Sequence, residues 1–442
     1  MVKSKEALQA VYAERTPKSR MQWERGKPVM PGGVIKSAYW FAPHPTYMDR
    51  GDGCYIWDID GNKYVDFTNH HTATILGHNH PAVMEAIQKE LERGMALSGP
   101  TTLEAEIAEE LIERIPGVEK VRYTNSATES AIHIARMVRT ITGKPKLAKF
   151  EGAYHGSHDA LEFSTAPSID QAGPEDAPNT VPAQPGMIPN AEDSVIMLPY
   201  NQPETVDLIL REHKDELAAV FFDGKPAMMD IPVEFSQFIR DITDELGILL
   251  VYDETVSFMA GPGGYQGEAE IKPDLSMFGK IVGGGLPGGA IGGKSEYMDL
   301  LDISEGNEGP FVSGTFSGNS MTLAAGLATL RALTPDIYAH IDGLRQRAHI
   351  GLENAAERVG IPFHILSAGT MINAYPSSTP VRDHRSYLNI DSDMFERILL
   401  GLTNKGNYMG RGHMSMVLSA PMENSDVDRL INAFEEVLND QD

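Results

Sequence analysis

The sequence predicts an α/β fold in which a mostly parallel sheet is covered by helices on both faces. Between residues 121 and 253, short apolar segments alternate with segments whose apolar residues recur at helical spacing. Buried parallel strands are short apolar runs of this kind, and helices connect them. The chain has 442 residues, of which 41% are hydrophobic, so it can bury a sizeable core. A smaller α+β unit is expected in roughly the last 100 residues.

The N-terminal part predicts a helix followed by a hairpin. Residues 1–26 have helical spacing, and the proline- and glycine-rich stretch 28–33 ends this helix. Residues 55–67 are predicted to form two short strands around the turn Asp60-Gly61, because Asp-Gly is a strong hairpin signal.

Strands and helices then alternate along the chain. The candidate strands are 121–124, 146–150, 194–198, 218–222 and 247–253. The candidate helices are 81–94, 102–115, 128–142, 203–216 and 233–246. Residues 164–193 interrupt this pattern with six prolines and little periodicity. A loop of this length is usually a functional lid or a surface insertion, and both interpretations remain open at this stage.

A glycine-rich run at 279–294 leads into the C-terminal part of the chain. The elements expected there are helices at 321–333 and 335–359, strands near 363–375 and 413–419, and a final helix near 425–439. This mixture predicts the smaller α+β unit.

Composition excludes several classes of function. The chain carries 37 Lys and Arg against 62 Asp and Glu, a net charge of −25, which disfavours binding to nucleic acid or to an anionic membrane. Cys54 is the single cysteine, so an intramolecular disulfide and a cysteine-based zinc cluster are excluded. The histidines at 70, 71, 78 and 80 lack a completing carboxylate pattern, and we expect no metal site.

The sequence predicts neither a membrane-spanning segment nor a signal peptide. No apolar run reaches the ~18–20 residues that cross a bilayer, and the N-terminal segment lacks the apolar core of a signal peptide. We therefore expect a soluble, cytoplasmic protein.

The strongest chemical feature is a pair of charged residues, Asp253 and Lys280. Asp253 ends the strand 247–253, and ligands of open α/β sheets bind at the carboxyl ends of the strands. Lys280 stands between an apolar segment and the glycine run, where desolvation would lower its pKa and free the amine for a Schiff base. A lysine Schiff base with an acid for a pyridine nitrogen is the signature of pyridoxal 5′-phosphate (PLP) chemistry. Taken singly, a strand-end Asp is also an ordinary cap, and most lysines are solvated.

Two further segments follow strand ends. Ser126, Ala127 and Thr128 lie at the start of a predicted helix, where backbone N–H groups and hydroxyls form an anion site or a simple N-cap. Tyr154 and His155 follow strand 146–150, where an aromatic ring would stack on a planar cofactor or fill an ordinary turn.

Together these segments resemble the class III aminotransferases of PLP fold type I. Within that family the chain is most similar to glutamate-1-semialdehyde aminomutases and to β-amino acid and ω-aminotransferases. The matching stretches run in family order: MPGG (30–33), WDIDGNKYVDF (57–67), LGHNHP (76–81), RYTNSATES (122–130), YHG (154–156), VYDE (251–254), PDLSMFGKIVGGGLPGGAIGG (273–293) and GTFSGNSMTLAAG (314–326). The resemblance implies a seven-stranded-type sheet in a large PLP-binding domain at 67–320. Segments 1–66 and 321–442 would build the small domain.

The resemblance also implies roles for single residues. Lys280 would form the Schiff base and move the proton, and Asp253 would keep the pyridine nitrogen protonated. The remaining cofactor-binding residues would be Ser126, Ala127, Thr128, Tyr154, His155, Thr255, Val256 and Thr315. Tyr154 would stack on the ring. Thr315 would reach the phosphate of the neighbouring subunit's cofactor, which implies a homodimer with shared active sites.

Two positions depart from the family pattern. Family members usually have Glu-Pro after the strand that reads AVFFD here, whereas this chain has Lys225-Pro226, so we expect that a carboxylate is missing or replaced. Thr255 stands where the family usually has Val, with Val256 next. Both departures concern specificity more than the core chemistry.

The residues expected to contact the substrate distinguish an aminomutase from an aminotransferase. The aminomutases have a glutamate near the segment that reads NYMGRGHMSMVLS here, and this chain has Arg411 instead. A guanidinium binds a carboxylate with two parallel hydrogen bonds, as in β-amino acid aminotransferases. Lys36 falls on their second arginine, and Tyr39, Trp40 and Phe41 are candidate pocket walls. Each of these residues also has a plain alternative as a loop or packing residue.

The sequence therefore predicts a PLP-dependent transaminase. It would move an amino group from a primary amine or a β/ω-amino acid to a keto acid such as pyruvate. Glutamate-1-semialdehyde 2,1-aminomutase and amino acid racemase are the alternatives on the same fold, and a non-catalytic binding protein that kept the fold is the alternative of another class.

Overall fold

The computed structural model describes residues 2–306, 309–410 and 416–440. The helices are Lys5–Arg15, Pro17–Gly26, Asn69–Thr72, Pro81–Arg93, Thr102–Arg114, Ala127–Thr142, Ile169–Ala172, Pro203–His213, Val233–Leu246, Glu254–Ser257, Gly264–Glu268, Ser295–Met298, Ser320–Ala332, Pro335–Val359, His384–Leu388, Ser392–Asn404 and Asn424–Asn439. None of the helices described is both long and apolar enough to cross a membrane.

Fourteen strands lie in the described ranges. They are β1 (Met48–Asp52), β2 (Tyr55–Asp58), β3 (Lys63–Asp66), β4 (Lys120–Thr124), β5 (Lys146–Phe150), β6 (Val195–Leu198), β7 (Leu217–Phe222), β8 (Leu249–Asp253), β9 (Leu275–Gly279), β10 (Gly289–Gly293), β11 (His364–Ala368), β12 (Met371–Tyr375), β13 (Asn407–Tyr408) and β14 (Met416–Val417).

The central sheet confirms the predicted α/β class. Its seven strands are ordered β4-β10-β9-β8-β7-β5-β6, and all pairs from β9 to β6 are parallel. Every residue of β7, β8 and β9 is buried, because helices cover both faces of this part of the sheet. The carboxyl ends of these strands therefore meet at one edge, where Asp253 and Lys280 lie.

Two smaller sheets complete the fold. The hairpin strands β2 and β3 form as predicted, and β3 also pairs in parallel with β13 from the C-terminal part of the chain. Strands β11, β12 and β14 form the third sheet. The division into segments 1–66, 67–320 and 321–442 stays a prediction.

The structure differs from the sequence prediction in three places. The single N-terminal helix is two helices, which meet at Thr16-Pro17 because proline cannot continue the hydrogen-bond ladder. Strand β1 was not predicted. Strands β9 and β10, which border or lie in the glycine run, were not predicted either. A Cβ on Gly289 would lie 2.5 Å from the carbonyl oxygen of Ser126, so glycine permits the close packing of β10.

Segment 164–193 is packed onto the protein. It contains the short helix Ile169–Ala172, and Arg385 donates hydrogen bonds to the carbonyls of Ala172, Gly173 and Pro174. Arg385 also pairs with Glu151 at 2.9 Å. One C-terminal side chain thus joins this segment to the residue that follows β5.

Candidate active site

Asp253 and His155 form a buried pair at the carboxyl end of the sheet. His155 Nδ1 lies 2.8 Å from Asp253 Oδ2, and the Thr255 N–H donates to Asp253 Oδ1 at 2.9 Å. Burial alone would raise the pKa of Asp253, but the hydrogen bond and charge of His155 and the bond from Thr255 outweigh it and lower that pKa. Asp253 is therefore held as a carboxylate, the state that a protonated pyridine nitrogen requires.

Asp223 places a carboxylate close to the position where we expect the family's carboxylate to be missing or replaced, and this expectation stays a prediction. It directly follows β7, and its carboxylate lies within 4.8 Å of the polar atoms of His155 and Asp253. Lys225 Nζ lies 3.2 Å from Asp223 Oδ2. Asp223 ends an apolar run in the sequence, so a carboxylate at this strand end could have been predicted. Although three such groups can hold a metal, each already has a protein partner: His155 and Asp253 pair with each other and Asp223 pairs with Lys225. They therefore fit a charge network rather than a metal site.

Lys280 begins a 3-10 turn, Lys280–Gly283, directly after β9, with φ of +53°. Burial lowers its pKa to about 8; the charge of Asp253 opposes this shift, and the charges of Lys36 and Lys225 add to it. A lysine in this state is a better nucleophile at neutral pH than a solvated one.

The segment 126–128 meets the lysine turn at close range. Ser126 Oγ accepts a hydrogen bond from the Glu129 N–H and caps the helix Ala127–Thr142. A Cβ on Gly279, the residue before Lys280, would lie 2.9 Å from Ala127 Cβ and 3.3 Å from the methyl of Thr255. The helix N-terminus, with its free N–H groups and positive dipole end, therefore lies beside Lys280 and suits a phosphate.

Tyr154 is half exposed, and its hydroxyl hydrogen-bonds with Thr128. A Cβ on Gly156 would lie 2.8 Å from Thr128 Oγ1, so glycine brings this loop against the helix start. The half-exposed aromatic ring is thus available to a flat ligand.

Thr315 lies in an exposed loop beside this helix start. A Cβ on Gly314 would lie 2.2 Å from Asn125 Nδ2 and 2.9 Å from Glu129 Oε1 of the same chain. Thr315 and Phe316 are exposed to solvent in the single chain. The contact of Thr315 with a neighbouring subunit stays a prediction.

The residues of this site fit PLP. Two buried polar atoms, His155 Nε2 and Thr255 Oγ1, have no partner within the described residues, although groups around them are paired. An acid, a desolvated lysine, a half-exposed aromatic ring and a helix N-terminus converge on one edge of the sheet. Asp253, Lys280, Tyr154 and segment 126–128 would hold the pyridine nitrogen, the aldehyde carbon, the ring and the phosphate.

A cavity of about 780 Å³ is lined in part by His70 and His71, on which the charge of Lys280 acts. Tyr39, Trp40 and Phe41 form part of its wall, and Lys36 Nζ lies 5.1 Å from the centre of the Tyr39 ring. Their contact with a substrate stays a prediction. Residues 408–410 line the cavity too. Arg411, which follows them, lies outside the described residues. Val256 is half-buried and packs against the main core.

Sequence reasoning missed two features of the site. Lys149 on β5 is fully buried and donates to the carbonyls of Ala153, Leu161 and Phe163. His70 and His71 line the cavity, and no sequence pattern assigned them to it. A lysine inside the apolar run KLAKF was the available signal for the first.

The chain is similar to known proteins over nearly its whole length. Residues 37–438 match the family model "Aminotransferase class-III". The chain is 35% identical over 429 residues to glutamate-1-semialdehyde 2,1-aminomutase 2 of Bacillus licheniformis, covering 95% of this chain and 97% of that relative.

Two solved structures of aminotransferases are also similar to the chain over nearly its whole length. An omega-transaminase from Sphaerobacter thermophilus is similar with a TM-score of 0.91 and 35% identity, covering 96% of this chain and 97% of that one. A beta-phenylalanine aminotransferase from Variovorax paradoxus is similar with a TM-score of 0.86 and 29% identity, over 98% and 96% of the two chains.

These matches confirm PLP fold type I and, through the family, PLP as the cofactor. With its buried acid, its desolvated lysine and a family match that spans nearly its whole length, the chain belongs to the class III aminotransferases.

Proposed function

We propose that this enzyme transfers an amino group from a primary amine or a β/ω-amino acid to a keto acid such as pyruvate. The observation that carries the proposal is the 780 Å³ cavity with aromatic walls, which His70 and His71 also line and on which the charge of Lys280 acts through these histidines. Pockets of this size enclose ligands considerably larger than a five-carbon semialdehyde. Aromatic walls favour a donor with an apolar or aryl group.

The roles follow from the geometry. Bound PLP supplies the electron sink that makes the proton on the substrate carbon removable. Asp253, kept charged by His155 and the Thr255 N–H, holds the positive charge of the ring nitrogen in place. Lys280, with its pKa near 8, is the base beside the substrate carbon and accepts the proton at Nζ.

The neighbouring groups position these two residues. Lys225 pairs with Asp223, so the charge of Asp223 is neutralised next to the Asp253–His155 pair. Tyr154, which is half exposed, would stack on the pyridine ring of the cofactor. We propose that the enzyme is a homodimer in which Thr315 completes the phosphate site of the neighbouring subunit, since Thr315 is exposed in the single chain.

Glutamate-1-semialdehyde 2,1-aminomutase is the second candidate. The favouring observation is the 35% identity to curated aminomutases over 95% of the chain. An aminomutase must retain its intermediate, and segment 164–193 would suit a lid over the site.

Two parallel assays test the proposal. In one, the holoenzyme receives an arylalkylamine or a β-amino acid with pyruvate, and alanine is measured. In the other it receives glutamate 1-semialdehyde alone, and 5-aminolevulinate is measured. We expect alanine from the first assay. Turnover of glutamate 1-semialdehyde only would refute the transaminase assignment.

A further inference from the structure

The helical turn Asn69–Thr72 has an unusual backbone. All four residues have positive φ: Asn69 +42°, His70 +47°, His71 +56° and Thr72 +74°. None is glycine. A side chain in this left-handed region strains the backbone, and a β-branched residue such as Thr72 is a particular outlier.

Neighbouring groups hold the turn in this conformation. Asp66 Oδ1 accepts hydrogen bonds from the N–H groups of Thr68 and Asn69 at 2.9 and 3.0 Å. The buried Asn69 side chain donates to the carbonyls of Asp66 and Val417 at 3.0 and 2.7 Å. Strain of this kind persists where the surroundings over-determine it, and it concentrates at ligand sites.

The turn presents two imidazoles to the substrate cavity. His70 and His71 both line it, and their ring centres are 6.4 Å apart. His71 Nδ1 is buried without a partner in the described chain. His71 lines the cavity, and a buried ring nitrogen without a protein partner is an atom that a ligand could satisfy.

The electrostatics of this corner suit an anion. Burial lowers the pKa of His70, and lowers that of His71 to about 4; the charges of Lys36 and Lys280 add to both shifts. Asp66 opposes them but already accepts three hydrogen bonds, including one with His78 Nε2 at 2.8 Å. Neutral imidazoles that donate an N–H, with the positive charge of Lys36 acting on both, form a favourable environment for a carboxylate, in a chain whose net charge is −25.

We propose that His70 and His71 are specificity-determining residues that bind the carboxylate of an amino acid substrate. Both histidines line the cavity, so the substrate would carry a carboxylate there in addition to the amine that reacts at Lys280. This inference rests on the proposed function, whose substrate class it narrows.

A binding experiment that needs no turnover tests it. Isothermal titration calorimetry of the PLP-loaded enzyme compares 3-phenylpropanoate with 3-phenylpropanamide, which differ only in the charge of the terminal group. Neither carries an amine, so neither reacts. We expect the wild type to bind the propanoate at least tenfold more tightly than the amide.

The variants separate recognition from folding. His71→Gly removes the imidazole and relieves the strained backbone, so its melting temperature should be unchanged or higher while the preference for propanoate falls about tenfold; His70→Gly should act in the same direction. Thr72→Gly relieves strain in the same turn but leaves both imidazoles, and should keep the preference.

Each of the other possible outcomes would overturn either this inference or the proposed function. A wild type that does not distinguish the two ligands overturns the inference, and so does a His71→Gly enzyme that keeps the preference. An equal loss in Thr72→Gly would show that the turn is only structural. An enzyme that prefers propanoate through His71 but makes no alanine would refute the proposed transaminase reaction and leave this site standing.

Discussion

The cofactor side and the substrate side of the active site are built in different ways. On the cofactor side the ionisable groups are buried and paired, as in Asp253 with His155, and they lie at the ends of regular strands. On the substrate side, Tyr39 and Trp40 remain 41% and 45% exposed, and the backbone is irregular or strained. The cofactor side is therefore made of buried, mutually paired groups, whereas the substrate side is made of exposed loop residues, where ligand-binding residues are often found.

The largest effect is expected on the cofactor side, from Lys280→Ala. Loss of the amine removes both the covalent link and the proton acceptor, so activity should fall by about 10³-fold or more. Borohydride reduction followed by peptide mass spectrometry should find the cofactor on Lys280 in the wild type and nowhere in the variant. The exposed Lys272, changed to Ala, is the control and should behave as wild type. Normal transamination by Lys280→Ala would contradict the assignment.

Asp253→Asn should have the next largest effect. The amide has nearly the same shape but no charge, so the positive charge on the pyridine nitrogen loses its partner. We expect kcat to fall by about 10²–10³-fold, the scale of a lost catalytic charge. Cofactor absorbance measured with the steady-state kinetics checks this, and Asp230→Asn, on a partly exposed side chain, is the control. A kcat within twofold of wild type would remove Asp253 from the mechanism.

Lys149→Met tests how the cofactor side is made rigid. The ammonium donates to three carbonyls, at 2.7, 3.0 and 2.6 Å, around the loop that carries Tyr154 and His155. Methionine has a similar size but leaves those carbonyls unpaired, so the free energy of unfolding should fall by about 3 kcal/mol or more. Urea denaturation measures it. The part-buried Lys146→Met on the same strand should cost less than about 1 kcal/mol.

Lys149 also predicts a pH dependence. Burial lowers its pKa from 10.5 in the unfolded chain to about 7 in the folded protein. Between these values the unfolded state binds more protons, so the contribution of Lys149 to stability increases from pH 7 towards pH 10.5. The free energy of unfolding at pH 9 minus that at pH 7 should therefore be more positive in the wild type than in Lys149→Met. Identical differences would show that Lys149 keeps its proton throughout.

The same contrast explains what could be predicted from the sequence. Strand β8, Asp253 and the helix after Ser126 are local patterns, and the structure has them within a residue or two of the predicted positions. Strand β10 was missed because the strand character of GAIGG comes from the close approach of its neighbours, which no local rule contains. The cavity joins segments around 30–51, 66–78 and 408–410, so its shape depends on tertiary contacts. Lys149 was missed because a lysine in a strand is ordinarily at the surface.

Arg411→Ala tests the substrate side. Arg411 lies outside the described residues, directly after the cavity-lining segment 408–410, and its proposed role is to bind the carboxylate of the keto acid. Loss of a charge-assisted hydrogen bond should weaken pyruvate binding by about 1.5–3 kcal/mol and leave an arylalkylamine nearly unaffected. The KM values for both substrates measure this. Adding Lys36→Ala should weaken binding further, and unchanged KM values for pyruvate and a β-amino acid would leave Arg411 as a surface residue.

The smallest expected effect concerns Thr255, at the boundary between the two sides. Its Oγ1 is buried without a partner in the described chain, while its methyl packs near Gly279. Valine has the same shape without the hydroxyl, so Thr255→Val removes an unsatisfied polar atom from the apoenzyme and should stabilise it by up to about 1 kcal/mol. If the hydroxyl gains a hydrogen bond when PLP binds, the variant should lose that gain in the holoenzyme. Melting temperatures of both forms measure the two effects separately. A variant that is less stable as apoenzyme would mean that Oγ1 has a water partner before the cofactor arrives, and that the cofactor side is solvated more deeply than its burial indicates.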